Sequence, residues 1–197
     1  MCGRYFYTNL EKIKEISPGL YKILISDCEN KDSIDICPGD EAPTVIRTKN
    51  GYVIEKKRWG FTSRDNRLII NARSETIRDK RTFHDLADSN RCIITASGYY
   101  EWRKNDRQKF AFSPGNSNEI LYIAGLYRTE EDVSRFVILT RTPTSYVSVI
   151  HDRMPLILPD REAALRWLEG EEFDAYLQAP IPLNIDAVGD EQLTMQF

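Results

Sequence analysis

The second residue of this chain is a cysteine, and the order Met1-Cys2-Gly3 creates a particular chemical opportunity. An initiator methionine is readily trimmed before so small a residue, and the trimmed chain would begin with Cys2 carrying both a thiol and a free α-amine. Such a 1,2-aminothiol condenses with an aldehyde to an imine, and the sulfur then closes a five-membered thiazolidine ring. An α-amine titrates near about 7.7–8.0 and a thiol near about 8.5, so both keep some reactive form at neutral pH. The competing reading is plainer. Free cysteine is among the most often buried residue types, and Cys2 could be a small core residue entering a first strand.

Other chemistry is poorly supported by the residues available. Cys2, Cys28, Cys37 and Cys92 are irregularly spaced without a C-x-x-C pair, and His84 and His151 lack acidic or cysteine partners at ligand spacing. Neither a metal site nor a thioredoxin-type redox motif is therefore expected, the thiols should be reduced, and no cofactor is called for. With 41% hydrophobic and 29% charged residues, the composition fits a soluble globular protein. No apolar run approaches the roughly 20 residues of a membrane span, and Asn9, Glu11, Lys12 and Lys14 interrupt any signal-peptide core. The expectation is a cytoplasmic protein, nucleoid-associated when bound to DNA, or nuclear in a cell with a nucleus, with no membrane partner.

The net charge of −3 argues weakly against nucleic acid, but it is unevenly distributed. Residues 160–197 hold two basic and nine acidic residues, leaving 25 basic and 21 acidic before position 160. The body of the chain is mildly basic and the tail acidic, which allows a local cationic groove.

The elements that must position these residues form a mainly β pattern. A short helix over 9–16, capped by Thr8 or Asn9, is expected to stop at Pro18-Gly19. Residues 26–42 are turn-rich, with Cys37-Pro38-Gly39-Asp40 as a loop, and Asn50-Gly51 joins strand-like Thr44–Arg47 to Tyr52–Ile54 as a hairpin. Leu68–Ile70 reads as a strand delivering Asn71 at its end, and a helical segment follows near 79–88. Strands are then expected at 92–95, 98–102, 108–113, 119–125 and 134–140. Asp160 caps a helix through Leu168 with Ala163, Ala164, Trp167 and Leu168 on its apolar side, stopped by Gly170. The expected fold class is α+β, a mainly antiparallel curved sheet or β-barrel-like core with peripheral helices, in a single domain over 1–197.

Several separated pieces together resemble one family, the SRAP domain of SOS-response-associated proteins, in its bacterial YedK and eukaryotic HMCES types. They are Met1-Cys2-Gly3-Arg4, Pro38-Gly39-Asp40, Arg58-Trp59-Gly60, Asn71-Ala72-Arg73-Ser74-Glu75-Thr76, Arg91-Cys92, Gly98-Tyr99-Tyr100-Glu101-Trp102, Ile138-Leu139-Thr140 and His151-Asp152-Arg153-Met154-Pro155. Their occurrence in this order is specific, and the match is strongest over 1–160. The resemblance implies a protein that binds single-stranded DNA and couples its N-terminal cysteine to the ring-opened aldehyde of an abasic site. The resulting DNA–protein crosslink would shield the lesion, with autocatalytic removal of Met1 and slow self-reversal as associated activities.

The same resemblance assigns roles. Cys2 would be the nucleophile. Glu101 would move protons, with a pKa raised by burial among Tyr99, Tyr100 and Trp102; its plain alternative is a salt-bridged surface carboxylate. His151 would protonate or stabilise the opened sugar, against the alternative of a structural histidine. Asn71 would hydrogen-bond the terminal amine or the sugar, against a turn cap. Arg4, Arg73 and Arg153 each lie within two residues of one of these positions and are candidate phosphate contacts, with solvated arginine as the alternative. Pro38 and Trp59 match apolar positions that stack against bases, though Trp59 could equally be core.

The chain departs from the pattern in two places. No second tryptophan follows Trp59-Gly60-Phe61-Thr62-Ser63-Arg64, and Arg141 stands where a threonine is common, where it could add a phosphate contact or narrow the pocket. Two rival functions remain: a cysteine peptidase using Cys2 and His151, and a noncovalent single-strand-binding module in which Cys2 is structural.

Overall fold

A two-residue turn at Lys49-Asn50 closes the hairpin between β3 (Glu41–Thr48) and β4 (Gly51–Trp59), with Thr48 opposite Gly51. Gly51 takes φ 113°, a left-handed value that glycine adopts without steric cost. This hairpin is part of a closed barrel in the computed structural model, which describes residues 2–26, 32–115, 120–172 and 174–189. Cys28 lies outside the described residues.

The strands around the hairpin are β1 (Tyr5–Thr8) and β2 (Ser33–Ile36) before it, then β5 (Phe61–Thr62), β6 (Leu68–Ile69), β7 (Asn71–Arg73), β8 (Arg91–Ala96) and β9 (Gly98–Trp102). They continue as β10 (Lys109–Pro114), β11 (Leu121–Glu130), β12 (Val133–Arg141), β13 (Met154–Pro155), β14 (Ile157–Leu158) and β15 (Leu183–Val188). Pairing runs β12-β4-β3-β8-β11 and returns from β11 to β12, so five strands close on themselves. Closure leaves these strands no free edge. Among the described residues, the parallel pairings are β4–β12 and β7–β12. A separate five-stranded sheet, ordered β15-β10-β9-β1-β2, lies beside this barrel. The α+β class with a barrel core and peripheral helices is thus the observed architecture.

The helices α1 (Leu10–Ile16), α2 (Pro18–Ile25), α3 (Leu86–Ser89), α4 (Ser145–Ser148), α5 (Arg161–Leu168) and α6 (Asp174–Leu177) are short. Asn9 caps α1, accepting from the Lys12 amide at 3.4 Å. Pro18-Gly19 does not end the helical region, however. Ser17 accepts from the Leu20 amide and Pro18 occupies the first turn of α2, where its missing N–H costs nothing. The segment 79–88 is mostly turns, with only Leu86–Ser89 helical. In α5 the Asp160 cap and the four buried residues Ala163, Ala164, Trp167 and Leu168 match the amphipathic pattern, and Gly170 follows at φ 99°.

Trp59 is core. It is fully buried, stacked on Phe136 at 6.1 Å between ring centroids and packed on Tyr5 at 5.3 Å, and its indole N–H donates to the Ile70 carbonyl. A ring enclosed in this way offers no face to a nucleotide base, which corrects the stacking role. Arg141 is also buried and makes no surface contact. Its guanidinium donates to the carbonyls of Tyr176, Leu177 and Ala179 at 2.7, 2.8 and 2.9 Å, and so staples the tail to the barrel. Arg91 does the same for Ala87, Trp167 and Glu171. The acidic tail, as far as it is described, is therefore held through its backbone, and β15 adds it to the outer sheet beside β10.

Candidate functional site

The junction of the two sheets brings the reactive residues together. Cys2 lies three residues before the first residue of β1, and β1 pairs with β9 so that Tyr5 lies opposite Tyr99. From the barrel, β7 runs parallel to β12 with Asn71 opposite Ile138. Asn71 spans the junction, its Nδ2 donating to the Cys2 carbonyl at 2.9 Å. Asn71 is thus the first residue of its own strand rather than a turn cap.

On β9 the two-residue period of a strand divides Gly98–Trp102 between two faces. Tyr99 and Glu101 point inward, at 0% and 2% exposed, while Tyr100 and Trp102 point outward. The outward pair packs with Phe6, Arg4 and Lys109, so Tyr100 and Trp102 are not the residues that bury Glu101. Burial nevertheless pushes the Glu101 carboxyl up to about 7. That value sets it near half ionised at neutral pH, the condition for a group that both takes and returns a proton.

Cys2 is itself fully buried, and burial pushes its thiol well above the ordinary range, with the Glu101 charge adding to the effect. The burial is that of the plainer sequence reading, while the raised thiol departs from the ordinary value near which the sequence places it. Its Sγ points to the Arg4 carbonyl at 4.0 Å. Around it lie buried polar atoms with no hydrogen-bond partner among the described residues: Asn71 Oδ1 and the hydroxyls of Tyr5 and Tyr99. Both tyrosines sense the Cys2 charge electrostatically.

His151 follows α4 and places Nε2 3.9 Å from Glu101 Oε2. Two neighbours approach Nδ1: the Arg153 amide at 3.1 Å and Asp152 Oδ1 at 3.0 Å. They demand opposite protonation of that nitrogen. The amide contact has hydrogen-bond geometry, and Asp152 is exposed and already bound by Lys104 at 2.7 Å. Nδ1 therefore accepts, Nε2 carries the proton, and the ring is neutral, consistent with burial lowering its pKa.

The expected phosphate contacts separate into different kinds. Arg73 is exposed and makes no ion pair among the described residues. Arg4 lies 5.7 Å over the Trp102 ring with Asp35 at 3.6 Å, a long and half-exposed pair that a phosphate could displace. Arg153 is not free for this use: its side chain is 12% exposed and grips Glu75 bidentately at 2.8 and 2.7 Å, with a further bond to the Thr140 carbonyl. Pro38 is half-buried in the turn before β3, and the exposed Leu68 approaches Gly39 beside it.

Sequence reasoning missed Glu75, which sits inside the Asn71–Thr76 run without any distinguishing periodicity. Burial pushes its carboxyl up, but bonds from Arg153 and Thr142 outweigh this and hold it at about 2. A cavity of about 350 Å³ lined by Leu20, Val45, Ile54, Ile93 and Tyr122 contains none of the four reactive residues. Among the described residues no cluster of histidine, cysteine or carboxylate groups could hold a metal ion, and no helix is long and apolar enough to cross a membrane.

A family model described as SOS response associated peptidase (SRAP) matches residues 1–189. The abasic site processing protein YoqW of Bacillus subtilis is 32% identical over 196 residues, covering 91% of this chain and 85% of its own. The abasic site processing protein YedK of Escherichia coli is 26% identical over 180 residues, covering 87% and 81%. A crystal structure of a Bordetella bronchiseptica protein aligns with a TM-score of 0.76 at 22% identity, over 95% of this chain and 100% of that one, and speaks to the fold.

Proposed function

This chain belongs to the SOS response associated peptidase (SRAP) family, and from that premise we propose that it is an abasic-site sensor that binds single-stranded DNA and crosslinks to it through Cys2. The observation that carries the reading is the convergence on Cys2. Asn71 holds its carbonyl, Glu101 acts on its thiol and titrates at about 7, and His151 faces Glu101. The relatives named for abasic site processing point the same way.

The chemistry follows from the protonation states. Removal of Met1 frees the Cys2 amine. Its lone pair attacks the C1′ aldehyde of the opened sugar, and the carbinolamine loses water to form an imine. His151, neutral with its proton on Nε2, can donate to the sugar oxygen as the ring opens. The buried thiol stays protonated at neutral pH, so its attack on the imine carbon needs a base, and the Glu101 carboxylate is the group whose charge acts on it. The S–C bond closes the thiazolidine as the former imine nitrogen takes a proton, so one water is lost overall. No metal or redox partner enters this balance.

The exposed Arg73 and the lightly held Arg4 are the cations best placed to take flanking phosphates, and Pro38 is the apolar surface left for a base after Trp59 is assigned to the core. The peptidase reading is less well supported, because a cysteine hydrolase needs a thiol–imidazole pair. Here His151 Nε2 faces Glu101, and the Cys2 thiol bonds to a backbone carbonyl. A denaturing gel with abasic and intact single strands of the same sequence tests the proposal. A stable adduct is expected only with abasic DNA, and adducts on both strands, or on neither, would refute it.

A further inference from the structure

We propose that Glu75 is a positioning residue that fixes the tautomer of His151 through Arg153. The inference rests on the reading of His151 as a proton-handling group, which the test below separates from the positioning itself.

His151, Asp152 and Arg153 lie between α4 and β13; the His151 amide donates back to the Val147 carbonyl at 3.1 Å, and Asp152 and Arg153 follow outside helix and strand. Beyond that bond and the pairing of Met154 with Arg141, the Arg153 side chain anchors the connection to the barrel. Its Nη2 donates to the carbonyl of Thr140 in β12 at 2.7 Å, with the Thr140 hydroxyl at 3.3 Å. The same Nη2 also donates to Glu75 Oε2, and Nη1 donates to Glu75 Oε1. Glu75 sits in the single 3-10 turn Ser74–Thr76 that follows β7, the strand carrying Asn71. It is tied a second time just beyond the end of β12, because Oε1 accepts from both the amide and the hydroxyl of Thr142. The planar fork of an arginine bound by two carboxylate oxygens defines both position and plane, which a lysine cannot do.

The consequence reaches the imidazole through the backbone. With the side chain fixed, the Arg153 amide is aimed at His151 Nδ1 at 3.1 Å, so Nδ1 must accept and Nε2 must carry the proton toward Glu101. Without the clamp, Asp152 Oδ1, 3.0 Å from the same nitrogen, competes to draw the proton to Nδ1 and leave Nε2 bare. The titratable and charged groups that act on the ring include the positive charge of the terminal amine, Glu101 from β9, Lys104 from the segment after it, and Asp152 and Arg153 from the connection itself. The bidentate pair keeps Glu75 ionised across the working pH range, so the clamp does not open when Glu101 titrates.

Glu75→Gln is the informative change, because glutamine keeps an acceptor for Thr142 but turns an amino group toward the arginine fork. Arg153→Lys is the second variant, retaining the charge and the backbone amide while removing the fork. Nitrogen NMR of the imidazoles reads the tautomer directly, and the two histidines to be assigned are His84 and His151. The wild-type protein should show a bare Nδ1 and a protonated Nε2 for His151. Both variants should show averaging between tautomers, together with crosslinking to an abasic oligonucleotide slowed roughly 10-fold, the lower end of what orienting partners supply, and unchanged affinity for an intact strand. A His151 tautomer identical to wild type in both variants would overturn the proposal. Averaged tautomers in a protein that forms no crosslink would uphold the positioning and defeat the functional reading instead.

Discussion

Glu75 and Glu101 approach the His151–Arg153 connection at its two ends and have opposite electrostatic fates. Glu75 reaches Arg153, a rigid bidentate cation, and is held at about 2. Glu101 reaches His151 and the neighbourhood of Cys2, where burial pushes it to about 7. The difference lies in what the environment offers the charged form: a guanidinium fork in one case and a nearly dry interior in the other. One carboxylate is thereby a permanent structural anion, and the other is available for proton transfer at neutral pH.

The comparison breaks most sharply at Glu101. Glu101→Gln should slow crosslinking about 100-fold or more, within the range attributed to a positioned acid or base, as followed by adduct formation against time. The same change should stabilise the protein at alkaline pH, because ionised Glu101 is a burden to the fold. Its folded pKa of about 7 stands above the 4.5 of the unfolded chain, so the folded state binds more protons between these values. Wild-type stability contributed by this group is therefore full below 4.5 and declines as pH rises toward 7. The loss is about 3 kcal/mol, converting the shift at about 1.36 kcal/mol per unit. Denaturant midpoints at pH 5 and pH 8 should show this decline in wild type and its absence in Glu101→Gln.

A comparable effect on stability, with no direct effect on chemistry, is expected at the tail staple. Arg141→Met strands three carbonyls and should cost about 3 kcal/mol, at roughly 1 kcal/mol or more for each buried group left unpaired. The pH dependence of crosslinking should remain that of wild type, with its rise centred near 7. The smallest effect belongs to the open cation. Arg73→Ala should weaken binding to intact and abasic strands alike and reduce the salt dependence by about one phosphate contact, measurable by fluorescence anisotropy across salt concentrations. Trp59→Phe should instead lower thermal stability without altering that salt slope, since its ring faces Phe136 and Tyr5.

Much of the frame could be read from residue patterns. The turn before Gly51, the alternating strands and the four buried positions of α5 follow from local periods of two and about 3.6 residues. Cys2, Asn71, Glu101 and His151 are legible as a set only through the resemblance to the SRAP family, and the structure places them near one another. What could not be read were relations set by tertiary contact. Pro18 looks like a stop until Ser17 is seen capping a second helix. Trp59 and Arg141 have surface-compatible neighbours in sequence, and only barrel closure puts one in the core and gives the other three carbonyls from a segment some 35 residues away. Glu75 carries no local signal because its partner is 78 positions distant.

The central claim is that Cys2 closes a ring rather than merely lining a core, and intact-protein mass spectrometry tests it most directly. Mature protein lacking Met1 is incubated with an abasic single-stranded oligonucleotide beside Cys2→Ala, each with and without borohydride. The account predicts a wild-type adduct equal to the oligonucleotide mass less one water that persists without reductant. Cys2→Ala, which keeps a terminal amine but no thiol, should give an adduct only when borohydride traps its imine. A stable adduct in Cys2→Ala without reductant, or none in processed wild type, would contradict the account.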